Sequence, residues 1–192
     1  RAAAELKHAW AQFNLACLIH REDGVPGELT EALTLLARSA RQGNVKAMNM
    51  LGRCCEEGWR GSPKPAAARR WYLRAAHGGC FRGPFHAARY FIADGDTDQA
   101  VQWLRRSIAS APADFCEELG AAFADHPDER LRAISALACT RAAHAARQAP
   151  TGEPRAQTVS TEFAASRRRR RRIRPVGRVV RRIAVSVGIV RQ

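Results

Sequence analysis

The sequence predicts an all-α protein made of repeated helical hairpins that stack as a solenoid, followed by a disordered, strongly basic C-terminal tail. Three observations predict it. Alanine supplies 37 of the 192 residues while aromatics reach only 7%; Ala is the best helix former and a poor strand former, so the composition favours close-packed helices. Displaced by 36 residues, the chain matches itself without a gap: Ala11 falls on Ala47, Leu15-Ala16 on Leu51-Gly52, Ala32 on Ala68, Ala40 on Ala76 and Gly43 on Gly79. Self-similarity at such a period is the signature of stacked supersecondary units. Finally, the formal charge of +14 is concentrated: residues 167–192 hold 11 Arg and no acid, which leaves +3 for residues 1–166.

Each unit reads as two helices. In the first, Asp23-Gly24 marks the turn, Glu28 to Arg41 the second helix and Gly43 its stop. In the second, Val45, Met48, Leu51 and Cys55 follow helical spacing until Glu57-Gly58, where Gly can take the left-handed conformation that ends helices. Pro63 and Pro65 then open a helix whose apolar stripe is Ala68, Trp71, Tyr72 and Ala75, and Gly78-Gly79 stops it. The third unit places Ala87-Ala88 at the small-residue crossing. Its Asp94-Gly95-Asp96 supplies a tight turn and an N-cap before Gln99 to Ser110, and its loop is shorter, so Ala100 and Trp103 lie 32 after Ala68 and Trp71. A degenerate fourth unit begins near Asp114 with Leu119-Gly120 at the crossing. Residues 127–147 read as a longer capping helix with Leu131, Ile134, Leu137 and Ala138 as its stripe. The small pairs let the two helices of a hairpin approach closely, and the large Leu and Trp side chains fill the space between hairpins. One hairpin cannot bury its apolar face alone; stacking does it.

"Ala-x-x-x-Leu-Gly" at 47–52, "Gly-Val-Pro" at 24–26, "Ala-x-x-Trp-Tyr-x-x-Ala-Ala" at 68–76 and the closing glycines at 43 and 79 resemble Sel1-like repeats, short helical hairpins related to tetratricopeptide repeats. The resemblance covers residues 9–110 well and 111–147 poorly. It implies a right-handed α-α superhelix whose concave face binds a protein or peptide partner, as an adaptor. The expected organisation is a repeat solenoid over residues 1–147, a linker over 148–166 and the Arg-rich tail over 167–192.

Motifs for chemistry are weak. Asp94, Asp96 and Asp98 imitate the opening of a calcium loop, but Gln99 stands where Gly is needed and Arg105 where the bidentate Glu belongs. His77 and Cys80 form a His-x-x-Cys pair near Cys54-Cys55, yet adjacent residues on a helix point about 100° apart and zinc needs four convergent ligands; core packing is the expected role. There is no nucleophile elbow, phosphate-cradling Gly loop or HExxH. The expectation is a non-enzyme without cofactor or metal. The six Cys follow no disulfide spacing, and none recurs at repeat-equivalent positions, unlike the disulfide-joined helices of the family's exported cysteine-rich members.

Candidate partner-binding residues come from two places. Trp59 and Arg60 lie in the loop between helices, where aromatic and Arg side chains make hot spots once desolvated. First-helix residues Asn14, Asn49, Arg53, Glu56, Arg82, His86 and Arg89 are polar at helical spacing and would line the concave face. Trp71 and Trp103, at equivalent positions, are expected in the inter-repeat core.

No apolar run approaches the ~18 residues that span a bilayer. No charged-then-apolar leader is visible, so the expected setting is cytoplasmic, with an exported, disulfide-stabilised adaptor (periplasmic or secreted) as the alternative if a leader was lost. The tail offers a second alternative. Arg167 to Arg172 is an uninterrupted run, followed by more Arg among β-branched Val and Ile. It would bind nucleic acid or an anionic surface by counterion release, or be an unselected extension. With no aromatic side chain to stack on bases, it has no base-reading mechanism.

Overall fold

The computed structural model describes residues 2–21, 26–59 and 61–148. The predicted Asp23-Gly24 turn, Arg60, the linker (148–166) beyond Gln148 and the Arg-rich tail lie outside the described residues. What is described is helical: α1 (Ala2–Arg21), α2 (Pro26–Arg41), α3 (Val45–Glu57), α4 (Pro65–His77), α5 (Arg82–Ala93), α6 (Thr97–Ser110), α7 (Ala113–Phe123) and α8 (Glu129–Gln148). The expected hairpins are present. α2 starts two residues before Glu28, at Pro26, whose missing N–H is harmless in a first turn. α6 starts at Thr97 because Asp96 caps it, its carboxylate accepting from the Gln99 N–H at 3.1 Å. Asn44 caps α3 in the same way, accepting from Lys46 and Ala47.

The helices form two compact units, residues 1–111 and the part from Pro112 on. In the first, three hairpins stack as a solenoid in chain order, α1 on α2, α2 on α3, and so on to α6. Their core is built from small residues at the crossings: Ala16, Ala32, Ala47, Ala68, Ala87, Ala88 and Ala100 are at most 1% exposed, with Leu36, Leu51, Tyr72 and Leu104 between them. Gly52 shows why the crossing must be small: a Cβ there would stand 2.5 Å from the Tyr72 ring. Gly83 of α5 is hemmed in by backbone, a Cβ meeting the Ala76 nitrogen at 2.5 Å and the backbone of Ala75 and Tyr72 at 2.9 Å. Buried hydroxyls add polar ties. Ser39 donates to the Ala9 carbonyl at 2.6 Å and Ser107 to that of Phe81 at 2.7 Å, a match across hairpins one and three. Gly43 and Gly79 close α2 and α4 in the left-handed region (φ 87° and 92°), where a side chain would be strained.

The second unit is one hairpin. Leu119, Phe123, Leu131, Ile134 and Ala138 form its core, and Ser135 donates to the Gly120 carbonyl at 2.6 Å. The crossing is again a glycine: a Cβ on Gly120 would lie 2.6 Å from Cys139 Sγ.

Several expectations need correction. Leu137 is 42% exposed rather than part of the α8 stripe; Ile134, Ser135 and Ala142 take the buried side. Leu15, aligned with the buried Leu51, is 47% exposed: among the described residues no helix lies on it as α2 lies on Leu51 of α3. Trp103 is buried as expected, but Trp71 is only half-buried, with the Arg74 guanidinium over its ring at 5.0 Å. Cys80 is buried, whereas His77 is exposed and meets the Trp103 ring edge-on at 5.5 Å. Burial pushes the Cys54 thiol up and out of reach of ionisation at neutral pH.

Candidate functional site: the first-helix face of residues 1–111

Asn49, Arg53 and Glu56 recur at i, i+4 and i+7 on α3, and Arg82, His86 and Arg89 at the same spacing on α5. Helical geometry puts each triplet on one face. The structure joins the two faces through one carboxylate. Glu56 accepts from Tyr72 Oη at 2.9 Å and from Tyr90 Oη at 3.2 Å, and the two terminal guanidinium nitrogens of Arg89, Nη1 and Nη2, reach it at 3.3 and 3.2 Å. One side chain of α3 therefore ties α4 and α5 together. The Arg89–Glu56 pair is largely sheltered, with side chains 18% and 26% exposed, so it is stronger than an open surface pair.

His86 completes the cluster. It is buried, stacks on the Tyr72 ring at 4.4 Å and 20°, and its Nδ1 lies 3.3 Å from Arg89 Nη1. Donation from Arg89 requires Nδ1 to be unprotonated, which places the ring proton on Nε2. Burial, then the positive charges of Arg89, Arg53 and Arg82, hold His86 well below the usual histidine range, so it is neutral at physiological pH. Burial and the Glu56 charge push the Tyr72 and Tyr90 phenols up, keeping both as donors.

The remaining candidates sit around this hub. Asn49 is 8% exposed and its Oδ1 has no hydrogen-bond partner. Arg53 pairs with Glu57 at 3.3 Å on the surface, and Glu57 also accepts from Trp59 Nε1 at 2.9 Å. Trp59 is half-buried against the His20 ring, 4.2 Å away. Arg82 is exposed, its guanidinium 4.4 Å above the Phe81 ring. Asn14 is exposed on α1 and takes part in none of these contacts. Tyr72 and Tyr90 escaped the sequence reading as hub members; the signal available was an acid on a first helix whose crossing glycine, Gly52, lies four residues before it.

A different surface occurs in the second unit. Glu117, Gly120, Ala121 and Ala124 of α7 and Ser135, Cys139, Ala142 and Ala143 of α8 line a cleft of about 380 Å³. Among the described residues no group of His, Cys, Asp and Glu is placed to hold a metal ion, and none of the helices is long and apolar enough to cross a membrane.

Comparison with known proteins agrees with this architecture. The Sel1 repeat family model matches residues 11–44, 45–80 and 88–111. A crystal structure of a protective antigen of uropathogenic Escherichia coli displaying an SLR fold is 27% identical, with a TM-score of 0.56 over 71% of this chain and 30% of that one. That of a Sel1 repeat protein from Oxalobacter formigenes is 22% identical, with a TM-score of 0.57 over 77% of this chain and 61% of that one. The chain thus spans less than two thirds of either protein's own length. A search of the curated proteins found no match. With three repeat matches in tandem, laid on three stacked hairpins, the chain belongs to the Sel1 repeat family.

Proposed function

We propose that the protein is a non-catalytic protein-interaction scaffold whose first-helix face, over α3 and α5, receives a protein or peptide partner. Sel1 repeat proteins are typically such scaffolds. The observation that carries the reading here is the Glu56 hub. It fixes Tyr72, Tyr90, Arg89 and His86 in one arrangement before any partner arrives. A surface ordered in advance loses less entropy on binding. Arg53 and Arg82 stand at the edge of this rigid patch and supply the charged contacts.

The test is capture from native lysate on immobilised full-length protein, comparing the wild type with the Arg53→Glu, Arg82→Glu double variant. Neither side chain belongs to the hub, so helix content and thermal midpoint should stay close to wild type. The reading requires a discrete set of proteins held by the wild type and reduced at least ~10-fold on the variant, the loss expected when interface charges are reversed. The same set held equally by both would end it.

A further inference from the structure

The second helices of the first unit sort their charge along their length. Their acids, Glu28 and Glu31 on α2 and Asp98 on α6, belong to the opening turns, and α4 has none. The rest of these helices carries Arg38, Arg41, Arg70, Arg74, Arg105 and Arg106, all exposed, with no acid from Ala32 to Arg41, from Pro65 to His77 or from Gln99 to Ser110. Shifts of 36 and 32 residues make Arg38, Arg74 and Arg106 equivalent. Each stands six residues beyond a fully buried alanine (Ala32, Ala68 or Ala100), about 240° further round its helix and so on the outward side.

These guanidinium groups differ from those of the first-helix face. There Arg53 and Arg89 are paired with Glu57 and Glu56, and Arg69 at the start of α4 is paired with Asp94. Among the described residues none of the six outward Arg forms an ion pair. Two of them are seated on aromatic rings instead: Arg74 lies 5.0 Å above half-buried Trp71, and Arg106 lies 4.6 Å above buried Trp103. The helix dipole favours a cation in the last turn, which accounts for Arg38, Arg41 and Arg74. Arg70, Arg105 and Arg106 stand before the last turn and have no such reason.

We propose that this outward face of α2, α4 and α6 binds a nucleic-acid duplex through its backbone phosphates, independently of sequence. The surface is separate from the first-helix face, and so is its occupant. Unpaired cations with no acid among them complement a polyanion. A guanidinium meets a phosphate with two parallel donors, and stacking on Trp orients it in advance. The rest of the face selects among polyanions. The large apolar side chains exposed among the described residues lie on α1 and α8, none on these three helices. A protein interface centres on an apolar core, and a helix lying on a membrane inserts apolar side chains; contacts to a duplex are polar and strongly positive. Trp71 and Trp103 lie under guanidinium groups, so no ring here is open for stacking on unpaired bases, and the fitting form is the paired one.

The test is binding of a fluorescent, mixed-sequence DNA duplex to the full-length protein between ~50 and ~200 mM salt. Arg38→Gln, Arg74→Gln and Arg106→Gln together should weaken binding at least ~10-fold, and equally for a second duplex of unrelated sequence. The slope of log affinity against log salt should become shallower by about 3, since each phosphate contact contributes about 0.9. Lys at the same three positions should keep the wild-type slope, which separates lost charge from lost fold. Arg130→Gln, Arg141→Gln and Arg147→Gln on α8 remove as much charge and should change neither affinity nor slope. Every variant retains the 11 Arg of residues 167–192, so the differences report on the face and not on the tail. Equal binding by wild type and the first Gln variant, an equal loss in the α8 variant, or a Lys variant that loses slope as the Gln variant does would each overturn the proposal. So would a Gln variant that keeps duplex binding and loses only phosphatidylserine vesicles or polyglutamate, which would give the face to a membrane or to an acidic protein.

Discussion

The hairpins α3/α4 and α7/α8 share a crossing glycine and differ in what surrounds it. Beside Gly52 stands Tyr72, fully buried, held through its hydroxyl by Glu56 and stacked on His86. Beside Gly120 stands Cys139, exposed, with Ala121 and Ala124 where the other hairpin has Arg53 and Glu56. The first site is filled and braced; the second is a cleft. The repeat therefore fixes the backbone approach, and the side chains around it decide whether a crossing is braced or left open. A solenoid can vary the two independently because each unit contacts only its neighbours.

The largest effect should come from removing the brace. Glu56→Ala leaves two phenols and a guanidinium without their shared acceptor, and should cost about 3 kcal/mol. All four Trp lie in residues 1–111, so urea unfolding followed by Trp fluorescence reports on that unit. A loss under ~1 kcal/mol would mean the hub does not hold α3, α4 and α5 together. Next comes the glycine pair. Both Gly52→Ala and Gly120→Ala gain about 1 kcal/mol of helix propensity. At Gly52 the new methyl meets a ring that burial and hydrogen bonding prevent from moving, at an overpacking cost of about 1–3 kcal/mol. At Gly120 it meets the tip of a Cys beside open space, which can rotate away. Gly120→Ala should come out about 2 kcal/mol more favourable than Gly52→Ala by far-UV circular dichroism; equal values would refute the distinction between braced and open crossings.

Acid sharpens the same contrast. His86 is neutral in the folded protein and its folded pKa lies below the unfolded value, so above about pH 6.5 neither state is protonated and nothing is lost. As pH falls below that, the unfolded chain takes up a proton that the folded chain refuses, and stability drops by at most ~1.4 kcal/mol per pH unit until the folded pKa is passed. His126 in the second unit is shifted the same way by burial, but the Asp128 charge opposes the shift. Between pH 7 and 5 the Trp-monitored unit should thus weaken more steeply, and His86→Phe, which keeps an aromatic ring on Tyr72, should flatten its slope.

The architecture was legible because each repeat prints its own boundaries: Pro26 and Pro65 at helix starts, Gly43, Gly58 and Gly79 at stops, and Ala or Gly at crossings. These are local signals, and a 36-residue period repeats them. The site was legible only as faces. Spacing placed Glu56 and Arg89 on first helices, but their contacts span 16 residues to Tyr72 and 33 to Arg89, and no local pattern pairs them. Exposure at Leu15 and Leu137 was missed for a related reason: apolar periodicity reports which side of a helix is apolar, while burial depends on whether a neighbour is there to cover it. The cleft escaped because its cause is missing side-chain volume, and alanines at 121, 124 and 143 look in a sequence like ordinary helix formers.

The smallest predicted change separates holding the fold from meeting a partner. Arg53 and Arg89 both belong to the candidate face, and both form an ion pair. Arg89 is sheltered and bound to the hub, whereas the Arg53–Glu57 pair is 36% and 41% exposed and only one helical turn long. Exposed i,i+4 pairs contribute about 0.3–0.5 kcal/mol, and solvent screens them. Arg53→Ala should accordingly move the unfolding midpoint hardly at all, while Arg89→Ala, which strips Glu56 of the guanidinium paired with it, should lower it clearly. Partner capture should rank the other way for unit stability lost: Arg53→Ala reduces it without loosening the helices. If Arg53→Ala instead unfolded the first unit as Arg89→Ala does, the rigid patch and its charged edge would be one structural element, and the reading of Arg53 as a contact residue would fall.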